Sequence, residues 1–257
     1  MKKLFRFAAA GAAALCCVPL VSHGSASFAP RRRLAVPRLL LWAWERPEDL
    51  RFIDPEQVGV AFLAATIHLG ATAIDLERRM QPLRVASQTK LIAVIRIEAA
   101  GDAHLDRQQV QKSLSYLVEL GTLPQVVAIQ VDFDATVSER VFYRQLLVEL
   151  RQQLPSDTPI SITALASWCI GDPWIADLPI DEAVPMLFRM GVGQREVRSW
   201  IGSDRDFPTA VCRDSLGIST DETWKWLPGG RRVYAFSPKP WDRRSLDALN
   251  WEIQAWH

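Results

Sequence analysis

The stretch VVAIQVDFDATVSER, Val126 to Arg140, decides the fold. Its first half is a continuous apolar run of strand length, as expected for a strand buried on both faces. Its second half, Thr136-Val-Ser-Glu139, has the spacing of a capping box, in which a Thr and a Glu three residues later satisfy the first free N–H groups of a helix. A buried strand thus runs directly into a helix whose apolar residues, Phe142, Leu146, Leu150 and Leu154, recur every four positions. The same strand–helix grammar recurs along the chain. Apolar runs lie at 39–45, 58–69, 91–98, 126–134, 160–168, 183–190, 209–213 and 232–236. A helix is expected over 105–120, with Asp106 as N-cap and Gly121 as C′ stop. Another is expected over 137–154 and a last over 245–256.

Eight strands alternating with helices predict an α/β fold, a single (β/α)8 TIM-like barrel. A doubly wound open sheet is the alternative. One unit breaks the pattern. Residues 66–87 carry no amphipathic helix, and Thr72 to Arg78 alternates polar and apolar, so the second helix is expected to be replaced by a hairpin insertion.

The chain has 257 residues, 49% of them hydrophobic, and a formal net charge of +1. That length suits one barrel domain, expected over 38–257. The charge balance speaks against a nucleic-acid partner. Lys2, Lys3 and Arg6, an apolar run from Phe7 to Val21, and the small residues Gly24-Ser25-Ala26 make residues 1–26 a signal peptide. This implies export, periplasmic or secreted, with no stable membrane span after leader removal. Lipid anchoring through Cys16 or Cys17 is the lesser alternative, because Leu15 and Cys16 are not the small residue that lipoprotein cleavage needs. Residues 27–37, with Arg31-Arg32-Arg33, read as a basic, proline-containing solvated linker. Cys169 and Cys212 remain in the mature chain, and pairing and two buried thiols are equally compatible with the sequence.

In a barrel of this type the chemistry lies at the C-terminal ends of the strands. Gln130, Asp132 and Asp134 share one face of the fourth run because side chains alternate. Two carboxylates in a poorly solvated lumen cannot both ionise cheaply, so one should be held protonated beside an ionised partner. This is the arrangement used to protonate a glycosidic oxygen. Structural pairing of Asp134 with Arg96 or Arg189 is the competing reading. Glu98, two residues beyond Arg96, is the third candidate acid, with Glu45 of similar status. The chain has ten tryptophans. Trp42, Trp44, Trp168 and Trp241, with Arg189 and Arg213, are expected at strand ends where flat rings and guanidiniums could line a sugar cleft, although buried aromatics also simply pack. No cofactor motif, P-loop or nucleophile elbow is present, and the histidines lack metal-ligand spacing.

Several stretches together resemble an uncharacterised bacterial secreted family, a domain of unknown function. They are LLLWAWERPEDLRFID (39–54), VGVAFLAATIHL (58–69), QPLR (81–84), LIAVIRIE (91–98), IQVDFDAT (129–136), SITALASWC (161–169), VPMLFRMG (184–191) and CRDSLGISTDE (212–222). A more distant similarity links the fourth run to the Asp-x-x-Asp-x-Asp-x-Glu signature of chitinase-type glycoside hydrolases. In one register Thr136 falls in the acid position and the acid is missing. In the other Asp134 takes the acid position, Asp132 the supporting Asp and Gln130 the earlier one. Met186 and Phe188 resemble that family's Met-x-Tyr, but Arg189 stands where it has Asp. The resemblance implies a glycoside-hydrolase-like barrel with a glycan or oligosaccharide as ligand. A non-catalytic carbohydrate-binding barrel and a metal-assisted hydrolase or deacetylase are the alternatives.

Overall fold

The computed structural model describes residues 31–203 and 205–256. The leader, Cys16, Cys17, the first four residues of the expected linker and His257 lie outside the described residues.

The strands are β1 (Leu39–Ala43), β2 (Glu48–Asp49), β3 (Val58–Leu69), β4 (Ile74–Arg78), β5 (Leu83–Arg84), β6 (Leu91–Ala99), β7 (Val126–Asp132), β8 (Ile160–Leu165), β9 (Glu182–Met186), β10 (Ser215–Ser219) and β11 (Arg232–Phe236). Eight of them form a closed parallel ring in the order β1-β3-β6-β7-β8-β9-β10-β11, and β11 returns to β1. The fold is therefore a (β/α)8 TIM-like barrel, not an open sheet. The helices are α1 (Arg107–Gly121), α2 (Arg140–Gln153), α3 (Ala166–Ile170), α4 (Gln194–Ile201) and α5 (Arg243–Gln254). The second helix is absent as expected, and its place is taken by β4, antiparallel to the upper half of β3. β3 outlasts β1, and β4 pairs with the part of β3 beyond it, satisfying backbone groups that would otherwise form an open edge. Two further connections, β1 to β3 and β10 to β11, also run without a helix.

Local chemistry accounts for the elements. The Asp106 side chain accepts from the Gln109 N–H and starts α1, while Val110, Leu114 and Leu117 face the barrel. At Thr136 the backbone N–H donates to the Glu139 carboxylate, and α2 buries Phe142, Leu146 and Leu150.

Several boundaries differ from expectation. Gly121 is the last helical residue and not a left-handed stop. A Cβ there would meet the Ile129 side chain at 2.5 Å, so glycine serves close helix–strand approach. The seventh strand is Ser215–Ser219, and Ala210–Cys212 is a short 3-10 turn on the outside. The apolar Val211 and Cys212 belong to the layer between strands and helices. The strand itself carries Ser215, Gly217 and Ser219, small because large side chains fill the lumen beside them. A Cβ on Gly217 would lie 3.0 Å from the Trp42 ring and 3.1 Å from the Met186 sulfur. Residues 166–168 open α3 and do not extend the fifth strand. Arg31 and Arg32 are not free in solvent. Arg31 pairs with Asp214 and Arg32 with Asp181, and Leu34 is buried with the lumen residues Leu40 and Tyr234.

Candidate active site at the barrel mouth

Alternation along the strands sorts the side chains into two cores. Outward residues such as Ile95, Val131 and Ile162 pack against the helices. Inward residues Leu40, Trp42, Ile92, Val94, Ala128, Val184 and Tyr234 fill the lumen. Above this filling, at the C-terminal ends of the strands, a cavity of about 340 Å³ opens to solvent.

Its walls fall into three sectors, following the strand order. The polar sector comes from β6 to β8 and holds Arg96, Asp132, Asp134 and Thr163. The aliphatic sector follows β8 and β9, with Leu165, Met186, Met190, Val192 and Val197. The aromatic sector joins Trp42 on β1 and Trp44 just beyond it to Phe236 on β11 and Phe188 after β9. Phe188 stacks on Phe236 with planes 5° apart and centroids at 5.7 Å, and tilts against Trp42 at 6.2 Å.

Asp132 ends β7 opposite Arg96 in the β6–β7 register. Its Oδ1 accepts from the Thr163 hydroxyl at 2.6 Å. Burial pushes the Asp132 carboxyl up to about 6. The Thr163 hydrogen bond works the other way, and the negative charge of Asp134 adds to the rise. Asp134 lies one turn of the alternation further out and is exposed at the rim. Burial raises its carboxyl as well, opposed by Arg96. Both carboxyls of the pair thus hold a proton more tightly than a free side chain, and the Asp134 charge contributes to the rise at the deeper Asp132. Among the described residues Asp134 makes no ion pair. Arg96 pairs with Glu98 at 2.9 Å and Arg189 with Asp221 at 3.8 Å.

Of the other residues singled out in the sequence, Trp42, Trp44 and Arg189 line the cavity. Gln130 does not. It lies fully buried beneath the floor, where its Oε1 accepts from the Trp42 indole N–H. Glu98 shares the Arg96 face but is not in the cavity wall, because it extends above β7 and is held by Arg96 and by His68 at 3.3 Å. Trp168 faces outward from α3 and packs edge-on against Trp174 at 5.1 Å. Trp241 is buried outside the lumen, and its indole N–H donates to the Trp42 carbonyl at 3.0 Å. Arg213 precedes β10 and so sits at the opposite, N-terminal end of the strands, where it donates to the carbonyls of Phe207 and Pro208. These three are structural because each falls on a connection whose path depends on packing, which strand periodicity does not report.

Sequence reasoning missed Thr163, Phe236 and the aliphatic sector as cavity walls. Thr163 was legible as the second inward residue after Ser161 on its strand. Phe236 was legible as the end of the last strand. Among the described residues no group of three acidic, His or Cys side chains is arranged to hold a metal ion. No described helix is long and apolar enough to cross a membrane. Cys169 and Cys212 form a disulfide, with Cα atoms 5.9 Å apart.

A family model described as a domain of unknown function, DUF3142, matches residues 87–184, the segment that contains Arg96, Asp132, Asp134 and Thr163. No curated protein matches the chain. Among solved structures, the chain is similar to the spore cortex-lytic enzyme SleL of Bacillus cereus, at 15% identity and a TM-score of 0.47. The match covers 74% of this chain and 51% of that one, so the chain spans about half the length of that structure.

Proposed function

We propose that this protein is an exported barrel that cleaves a polysaccharide or cell-envelope glycan by acid catalysis from the Asp132–Asp134 pair. The observation that carries this reading is the placement of two carboxyls with raised proton affinity in one aromatic-walled cavity at the mouth of the barrel. Mouth cavities of this kind are where barrel enzymes keep their chemistry. The aromatic sector offers flat apolar faces to the C–H surface of a sugar ring. Asp134, the more exposed of the pair, is placed to protonate the glycosidic oxygen as the C–O bond breaks. Positive charge then develops on the sugar ring and is stabilised by the remaining carboxylate. Water adds to the anomeric carbon and returns a proton to the pair, so the enzyme ends as it began. Glu98 and Glu45 are outside the cavity wall and take no part in this scheme. The disulfide supports export, since such bonds persist in oxidising compartments.

The test is reducing-sugar release from a panel of bacterial and plant glycans by the mature protein and by its Asp134→Asn and Asp132→Asn variants. Release that disappears in Asp134→Asn is expected. Retention of one glycan by all three proteins without release would replace the hydrolase with a carbohydrate-binding barrel.

A further inference from the structure

A cavity built only to hold a sugar would present hydrogen-bonding groups on most sides, because nearly every ring carbon carries a hydroxyl. This one does not. From the end of β8 into α4 the wall is mostly aliphatic, with Leu165, Met186, Met190, Val192 and Val197, and its polar side chains are Ser167 and the exposed Arg189. The apolar sector continues outward at the rim. Leu165 is 38% exposed and Val192 106% exposed, although both border the cavity.

The backbone holds this sector in place. Arg189, Gly191 and Gly193 all have positive φ, at 49°, 62° and 98°. Such a conformation is costly for a side chain other than glycine and persists where surrounding contacts over-determine it. Those contacts are present. The Arg189 N–H donates to Glu222 at 2.8 Å, and its guanidinium lies over the Phe236 ring at 4.9 Å. Gly193 is the N-cap position of α4. The loop is thus pinned at both ends, with Met190 and Val192 directed to the cavity between them. Methionine suits this role, because its flexible thioether adapts to apolar ligands of varied shape.

We infer that the aliphatic sector is a subsite for a hydrocarbon chain, so that the ligand is a saccharide bearing an acyl or alkyl substituent of four or more carbons. The inference rests on the reading of the cavity as a saccharide site. The ring lies between the aromatic sector and the two aspartates, and the chain leaves along Met186 and Met190 past Val192.

Binding of methyl, butyl, hexyl and octyl β-D-glucoside, each below its micelle concentration, tests this through the fluorescence of the tryptophans at the cavity floor. Each added methylene should tighten binding by roughly two- to fourfold until the sector is filled. Val192→Asp, at an exposed position that does not threaten folding, and Met190→Gln, of similar volume, should flatten this dependence and leave methyl glucoside binding within about twofold. The series is repeated in Asp134→Asn. A chain-length dependence that persists there while glycan cleavage is absent from the parent would retain the subsite and remove the hydrolase. Binding that is independent of chain length, or a dependence unchanged in both wall variants, would overturn the subsite whatever the outcome of the cleavage assay.

Discussion

The Trp42 indole N–H donates to the Gln130 side-chain oxygen at 3.0 Å, across 88 residues of sequence. It is the top of a directional chain through the lumen. The Gln130 amide donates to the Ser161 hydroxyl at 3.1 Å, and Ser161 donates to Glu182 at 3.1 Å. Tyr234 donates to the same Glu182 oxygen at 2.7 Å, and Arg232 pairs with the other. A carboxylate only accepts, so it commits the Ser161 proton downward. Ser161 must then accept from the Gln130 amide, which turns the Gln130 oxygen toward Trp42. A charge at the bottom of the barrel therefore sets the orientation of an aromatic ring at the floor of the cavity.

Glu182→Gln should break this direction, because an amide can donate to Ser161 and reverse the chain. It also leaves the largely buried Arg232 without its counter-charge. Urea unfolding should show a loss of about 3 kcal/mol, together with altered near-ultraviolet circular dichroism from a loosened Trp42. A variant with unchanged aromatic signal would refute the orienting role.

Gly217→Ala should disturb the same ring from the other side. The added Cβ would stand 3.0 Å from Trp42, 3.1 Å from the Met186 sulfur and 3.2 Å from the Pro185 carbonyl. Overpacking of this kind costs roughly 1–3 kcal/mol. Ligand affinity should fall with it, measured by fluorescence titration against Gly101→Ala, whose Cβ would meet nothing within 4 Å.

The pH dependence of stability isolates Asp132. Its carboxyl is raised in the folded state from the ordinary 3.8 to about 6. The folded protein therefore binds the proton more tightly than the unfolded chain, and this contribution is fully present below about pH 4 and lost as pH rises through 6. Asp132→Asn keeps an oxygen for Thr163 and removes the buried charge. It should be more stable than the parent by about 3 kcal/mol at pH 8 and by much less at pH 4. Equal effects at both pH values in chemical denaturation would contradict the raised pKa. In the same range, sugar release by the parent should decline above about pH 6 as the pair loses its proton.

The Cys169–Cys212 bond closes a loop of sequence separation 43 and joins α3 to the turn before β10. Constraint of the unfolded chain by a loop of this size contributes roughly 4 kcal/mol. Cys169→Ala/Cys212→Ala should show a loss near that value in urea. Both sulfurs are buried, so a reductant should act on the parent only as it unfolds. A midpoint insensitive to both treatments would remove the bond from the account of stability.

Much of this protein was already determined by its sequence. Local periodicity and capping chemistry depend only on neighbours in the chain. They identified seven of the eight barrel strands to within a few residues, the Asp106 cap, the Thr136–Glu139 capping box and the strand that replaces the second helix. Alternation also placed Gln130 and Asp132 on the lumen side of β7. Tertiary structure alone decided the rest. The strand Ser215–Ser219 was hidden because its residues are small to admit Trp42 from β1, two strands away around the ring. The pairing of Cys169 with Cys212, the outward path of Trp168 and Trp241, and the position of Arg213 below the barrel all follow from how connections pack on the closed sheet. Depth in the lumen, not residue type, separated the proton affinity of Asp132 from that of Asp134. Barrel closure brings together side chains far apart in sequence, and desolvation depends on that closure, so neither is written in any local stretch of the chain.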